Sequence, residues 1–363
     1  MKITFVCPPL NMTGGIRVIA IYAKYLQSFG HEVLVVASPA WVTKGLLARA
    51  LKKLRLPALP LRPQRPSHFD GTGVPIKILG RPRNVRESDV PDADVIIATW
   101  WETAEFVAPM SAAKGRQVYF VQHHEVFEWM PRDRVAATYR STMQKIVVAE
   151  WLVKAIEEDG NRMGCTIVPN AVDRTLFFAN PRPKNARPRV GTLFSETSFK
   201  GFDTTLAVVA KLKEAMPEVE VVAFGELAPN KYRDRVGDIQ VTTQPAQSTL
   251  RDIYSSCDVW LCCSTAEGFN LMAMEAMACR TPVVSTRTGW PAEAIVDGVN
   301  GALAEVGDVD GLADAVLKIL RADAVQWQAL SDGAARTVED SSWENSARMF
   351  EAALIRNETI APH

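Results

Sequence analysis

Two glutamates eight positions apart, Glu267 and Glu275, frame the stretch Ser264-Thr265-Ala266-Glu267-Gly268-Phe269-Asn270-Leu271-Met272-Ala273-Met274-Glu275. A continuous apolar run, Val259 to Cys263, reads as a buried strand in front of it, and the residues after Gly268 read as the start of a helix. Glu267 then lies on a loop at the strand's carboxyl end. The backbone N–H groups of Gly268, Phe269, Asn270 and Leu271 sit at a helix N-terminus, where donors lack intrahelical partners and the dipole favours negative charge. Such a turn can seat a diphosphate. Glu275, one to two turns into the helix, is placed to accept hydrogen bonds from a pair of sugar hydroxyls, for which ribose is the natural candidate. The competing assignment makes Glu267 a helix cap and Glu275 a solvated side chain. The apolar company of Glu275, with Met272, Met274, Met277 and Ala278 around it, argues against that.

Other residues with chemistry to offer also follow apolar runs. Gln122-His123-His124-Glu125 comes directly after Val118 to Val121, with His123 nearer the strand end, and at least one of the two histidines is an ordinary loop residue. Thr99-Trp100-Trp101-Glu102 follows another strand; Trp100 and Trp101, together with His124, are weak candidates for an acceptor site, buried Trp being the commoner role. Gly14-Gly15 opens a helix and is either a phosphate-facing turn or a plain one. Asp92-Ala93-Asp94 and Asp308-Val309-Asp310 resemble metal-binding Asp-x-Asp pairs. The first precedes its strand, at the wrong end of a parallel sheet, and the second begins a helix that aspartate would cap, so no metal is expected.

These residues need a scaffold that gathers strand ends. Lys2 to Cys7 reads as a strand, Gly14 to about Phe29 as a helix and Glu32 to Ala37 as a second strand. The same unit recurs at Arg189 to Phe194, the loop to Lys200-Gly201, a helix to about Ala215 and Val219 to Phe224. With further apolar runs at Val95 to Thr99, Val118 to Gln122, Val259 to Cys263 and Pro282 to Thr286, the expectation is α/β: two doubly wound, Rossmann-like domains, facing one another across a cleft that holds the site. The expected division is 1–170, 171–340 and a terminal helix in 341–363 that packs back on the first domain. Asn180-Pro181-Arg182-Pro183-Lys184-Asn185-Ala186-Arg187-Pro188 reads as a linker. A dinucleotide dehydrogenase is excluded, because Thr13-Gly14-Gly15-Ile16 is not Gly-x-Gly-x-x-Gly and Val36-Ala37-Ser38 has no ribose-binding acid.

The 363 residues suit two cores, and 47% hydrophobic with 23% charged residues is globular composition, which excludes disorder. No apolar run approaches the roughly 20 residues of a membrane span. Met1 to Pro9 carries one positive charge and an apolar stretch too short for a signal peptide, which points to the cytoplasm. The six cysteines form no Cys-x-x-Cys pair, so neither a zinc site nor a disulfide framework is expected. Net charge is zero, yet Val33 to Phe69 contains Lys44, Arg49, Lys52, Lys53, Arg55, Arg62 and Arg65 and no acid. Leu46, Leu47, Ala50, Leu51 and Leu54 share a helical face opposite Lys44, Arg49, Lys52 and Arg55. This basic amphipathic segment either docks on an anionic partner, the inner face of the cell membrane among them, or is a solvated helix of its own domain. No nucleic-acid motif accompanies the charge.

At these residues the chain resembles the retaining nucleotide-sugar glycosyltransferases of family 4, which have the GT-B fold. The resemblance runs through Thr13-Gly14-Gly15, Val168-Pro169-Asn170-Ala171-Val172-Asp173, Lys200-Gly201-Phe202-Asp203, Tyr254-Ser255-Ser256-Cys257-Asp258-Val259 and the Glu267 to Glu275 stretch. It implies a donor site in which Lys200 pairs with the diphosphate, Glu275 holds the ribose, Glu267 lies beside the transferred sugar and His123 lies near its anomeric centre. It further implies sugar transfer from a nucleoside diphosphate sugar to a glycan or lipid-linked acceptor, in cell-surface polysaccharide synthesis, with no cofactor. An epimerase or phosphorylase of the same fold, or a non-catalytic nucleotide-sugar or glycan-binding protein, is the alternative. Three departures stand out. The family's arginine a few residues before the lysine is missing from Gly191 to Lys200, and Asn270 and Arg280 replace its glycines, which implies an altered donor-contacting N–H.

Overall fold

The computed structural model describes residues 1–40, 66–225, 232 and 234–355. The basic amphipathic segment from Lys44 to Arg65 lies outside the described residues. The chain divides into two compact units, Met1–Asn170 with Glu344–His363, and Ala171–Trp343.

The first unit is built on a seven-stranded parallel sheet in the order β3-β2-β1-β4-β5-β6-β7. Its strands are β1 (Lys2–Cys7), β2 (Glu32–Ala37), β3 (Ile76–Ile78), β4 (Val95–Ala98), β5 (Arg116–Val121), β6 (Gln144–Val147) and β7 (Cys165–Ile167). The central strands β1, β4 and β5 are almost wholly apolar and buried, as a sheet covered by helices on both faces requires. The sequence order reverses between β1 and β4, so the loops after these two strands flank the switch point of a doubly wound sheet. The terminal helix Trp343–Ile355 belongs to this unit. Phe350 is fully buried, stacks on Tyr22 at 4.6 Å and meets Phe120 edge-on at 5.0 Å.

The second unit holds a six-stranded parallel sheet in the order β10-β9-β8-β11-β12-β13. These strands are β8 (Arg189–Phe194), β9 (Glu220–Gly225), β10 (Gln240–Thr243), β11 (Val259–Cys262), β12 (Val283–Thr286) and β13 (Gly301–Ala304). The reversal falls between β8 and β11, which pair through Val259 to Val190 and Leu261 to Thr192. The core packs the helices Phe202–Ala215 and Val309–Arg321 on the sheet through Val208, Leu212, Leu312 and Val316.

The proline-rich stretch Asn180 to Pro188 is not a free linker. It lies within the second unit and terminates two of its helices. The Arg182 guanidinium donates to the Ser255 carbonyl at 2.7 Å and also to that of Cys257, Asn185 donates its amide to Ser256 at 2.8 Å, and Lys184 donates to the carbonyls of Leu320 and Ala322. Cations are stabilised where helix carbonyls lack partners, so a composition that reads as a spacer serves as a strap. All six cysteines are free thiols. No helix among the described residues is long and apolar enough to cross a membrane.

Candidate active site

In the second unit the loops after β8 and β11 meet at the switch point. Thr265 donates its N–H to the Phe199 carbonyl at 2.7 Å, which staples the two loops together. Between them Gly201 adopts φ +66, and a Cβ there would stand 1.9 Å from the Cys263 carbonyl oxygen, so only glycine lets the chain pass this closely. The turn delivers Lys200 onto Glu267: its ammonium lies 2.8 and 2.9 Å from the two carboxylate oxygens. Glu267 is 5% exposed and accepts a further 2.6 Å bond from Ser264 Oγ. On its other side Gly289, at φ +60, would place a Cβ 2.8 Å from that of Glu267.

Beyond Glu267 the chain turns through Gly268 and Phe269 to the helix Leu271–Ala278, two residues later than the sequence suggests. Asn270 is the N-cap, at φ 75, and its side-chain oxygen accepts from the Ala273 N–H at 3.4 Å. Asparagine tolerates the left-handed region better than any side chain except none at all, which accounts for its replacing a glycine. Arg280 also adopts a positive φ, 61, but follows the other end of this helix. Its carbonyl accepts from Ser331 Oγ at 2.7 Å and its guanidinium pairs with Asp332. Arg280 thus follows the C-terminus of this helix and is held by a neighbouring helix. Glu275 is 3% exposed and accepts a 2.9 Å bond from Tyr254 Oη. Burial and the Glu275 charge hold the Tyr254 hydroxyl well above its ordinary range, so it stays a donor. A solvated Glu275 is excluded.

The first-unit candidates fare unequally. The helix Gly14–Ser28 starts at the pair of glycines with no capping side chain and no acid in its first turn, and a Cβ on Gly14 would meet nothing within 4 Å. His123 follows β5, its Nδ1 3.0 Å from the His124 carbonyl and its ring tilted on Phe127 at 4.8 Å. His124 is the structural member of the pair: Nε2 lies 2.6 Å from Asp159, and the ring sits near Tyr139 and Trp151. Trp101 is 5% exposed with the Arg134 guanidinium 4.9 Å over its ring, so it packs inside the unit and does not offer a face for sugar stacking. Trp100, before the helix Trp101–Val107, is only half-buried. Asp94 accepts the Lys2 N–H at 2.6 Å, Asp92 pairs with Lys114 at 2.8 Å, and Asp308 caps its helix through the Gly311 N–H at 2.8 Å.

Four residues went unselected in the sequence. Ser264 and Gly289 fix Glu267, and Tyr254 fixes Glu275. Glu125, 1% exposed, accepts from the Trp101 N–H at 2.7 Å and Tyr119 Oη at 3.0 Å, and so ties the loop of His123 to the end of β4. The Ser-x-x-Glu spacing was a usable signal for Ser264 alone. Tyr254 and Glu275 are 21 residues apart and no local pattern links them.

Residues 189–322, within the second unit, match the family model described as glycosyl transferases, group 1. Phosphatidyl-myo-inositol mannosyltransferase of Mycolicibacterium smegmatis is 25% identical over 359 residues, 89% of this chain and 86% of that protein. D-inositol 3-phosphate glycosyltransferase of Mycolicibacterium paratuberculosis is 34% identical over 169 residues, 43% of this chain. The chain spans only 37% of the length of that relative. Among solved structures, HepE of Anabaena in complex with UDP and glucose is similar with a TM-score of 0.75 at 17% identity, over 98% of this chain and 99% of that one. The fold is of the GT-B class.

Proposed function

We propose that this protein is a glycosyltransferase that moves a sugar from a nucleoside diphosphate sugar to a glycan or lipid-linked acceptor, with retention of configuration and without a metal ion or other cofactor. Donor binding falls to the second unit and acceptor binding to the first. The observation that carries this reading is the convergence, at the carboxyl ends of β8 and β11, of Lys200, Glu267, a helix N-terminus and the buried Glu275. Sheets of this kind take ligands at that point. A cation and a helix N-terminus together stabilise a leaving diphosphate, the work a divalent ion does elsewhere. The group 1 match and the UDP complex of the similar structure support a nucleoside diphosphate as the leaving group.

In this mechanism Gly268, Phe269, Asn270 and Leu271 present the helix start to the diphosphate and Lys200 moves from Glu267 onto it. Glu275 receives the ribose hydroxyls, and Glu267 contacts the transferred sugar. An oxygen of the departing diphosphate takes the proton of the incoming acceptor hydroxyl on the same face, which gives retention. The test is turnover with UDP-, GDP-, ADP- and dTDP-sugars and CMP-sugars, with and without a glycan acceptor and with and without EDTA. Acceptor-dependent release of nucleoside diphosphate that survives EDTA, with product keeping the donor's anomeric configuration by NMR, is expected. Sugar isomerisation without an acceptor, or donor binding without turnover, would replace this reading.

A further inference from the structure

Ser264 ends the run of buried residues at the carboxyl end of β11 and is 4% exposed. Its Oγ donates to Glu267 Oε1 at 2.6 Å, and its own carbonyl is pinned from β12 by Thr286 Oγ1 at 2.5 Å. Thr286, itself fully buried, thus fixes the Ser264 backbone while the Ser264 hydroxyl holds Glu267.

The two donors on Glu267 differ in kind. Lys200 Nζ rides on a flexible four-carbon stem, its side chain is 21% exposed, and it is the partner an anionic phosphate would draw away. Ser264 Oγ hangs from a buried strand end by one carbon and cannot follow. When Lys200 leaves, a carboxylate that is 5% exposed keeps one fixed donor, and a buried charge without one would turn toward any other polar group available.

We propose that Ser264 is a positioning residue for Glu267: it holds Oε1 in place after Lys200 has been drawn to the diphosphate, and so reserves Oε2 for a hydroxyl of the transferred sugar. This rests on the donor-site reading above and adds to it the residue that orients the carboxylate and the oxygen that does the recognition. Gly289 leaves the room the Glu267 stem occupies, since a Cβ there would stand 2.8 Å from the glutamate Cβ.

The experiment compares Ser264→Ala, Ser264→Thr and Ser264→Val in the full chain, by steady-state kinetics with the best donor and by calorimetry with its nucleoside diphosphate. Threonine and valine have one shape and differ in the hydroxyl, so this pair tests the hydroxyl even where alanine perturbs folding. Ser264→Ala and Ser264→Val should lower kcat about 10- to 100-fold with a much smaller change in donor KM, the signature of lost orientation. Ser264→Thr should restore most of the activity, and all three should still bind the nucleoside diphosphate. Equal activity of the Thr and Val variants, or a kcat unchanged in Ser264→Ala, overturns the positioning role while leaving the donor site standing. A wild-type protein that binds no nucleoside diphosphate overturns the donor reading and this inference with it.

Discussion

Replacing Glu125 with glutamine should change how the stability of the first unit depends on pH. Burial pushes this carboxyl from 4.5 up to about 8, the nearby Glu102 charge adds to the rise, and the Trp101 N–H and Tyr119 hydroxyl pull it back. Tyr139 also faces it, accepting from the Glu125 N–H at 2.9 Å, and both tyrosines are held well above their ordinary range by burial and by the Glu125 charge, so neither ionises first. The unfolded chain gives up this proton near 4.5 while the folded chain keeps it to about 8. The stabilisation is therefore complete below 4.5, declines as pH rises through that window and is lost above about 8. At about 1.4 kcal/mol per pH unit the span sets a ceiling of about 5 kcal/mol, and local relaxation around the ionised group reduces the expected loss to about 2–4 kcal/mol. Glutamine keeps one oxygen as acceptor for both the Trp101 N–H and the Tyr119 hydroxyl, which share Oε2 of Glu125, and cannot ionise. Urea unfolding of both proteins between pH 5 and pH 9, read on the transition of the first unit, should show wild type losing that increment and Glu125→Gln not losing it. Parallel pH profiles would refute the argument.

Three further outcomes are expected. Glu275→Gln should weaken nucleoside diphosphate binding by about 1–3 kcal/mol through loss of charged hydrogen bonds, and unchanged affinity by calorimetry in a folded variant removes ribose binding from its role. Gly201→Ala should destabilise the second unit by about 2–4 kcal/mol in urea, because a left-handed backbone and a Cβ pressed on the Cys263 carbonyl must both be accommodated; a loss within error would show that the loop simply shifts. Reversing Lys52, Lys53 and Arg55 to Glu should abolish much of the sedimentation of the protein with anionic vesicles, since each cation near such a surface contributes about 1 kcal/mol; wild type that ignores those vesicles makes the segment a solvated one.

The sequence by itself determined the class of the fold and marked Lys200, Glu267 and Glu275 as candidates before any coordinates placed them. Buried strands such as β1, β8 and β11 announce themselves as largely apolar runs, and a strand followed by Glu267, Gly268 and an apolar helix carrying Glu275 is a local pattern readable without coordinates. The strands β3, β6, β7, β10 and β13 did not stand out, because polar, small or half-exposed residues break their apolar runs, whereas the equally short β4, β11 and β12 are wholly buried. Only the tertiary structure decided which of several plausible residues stay available. It buried Trp101 under Arg134, bound His124 to Asp159 and turned a proline-rich spacer into a strap, each through a partner between 33 and 138 residues away. It also set Ser264, Gly289 and Lys200 around one carboxylate. Residue type and spacing fix what a side chain is able to do, while strand order at the switch point fixes what it meets, and strand order depends on long-range packing that no local window contains.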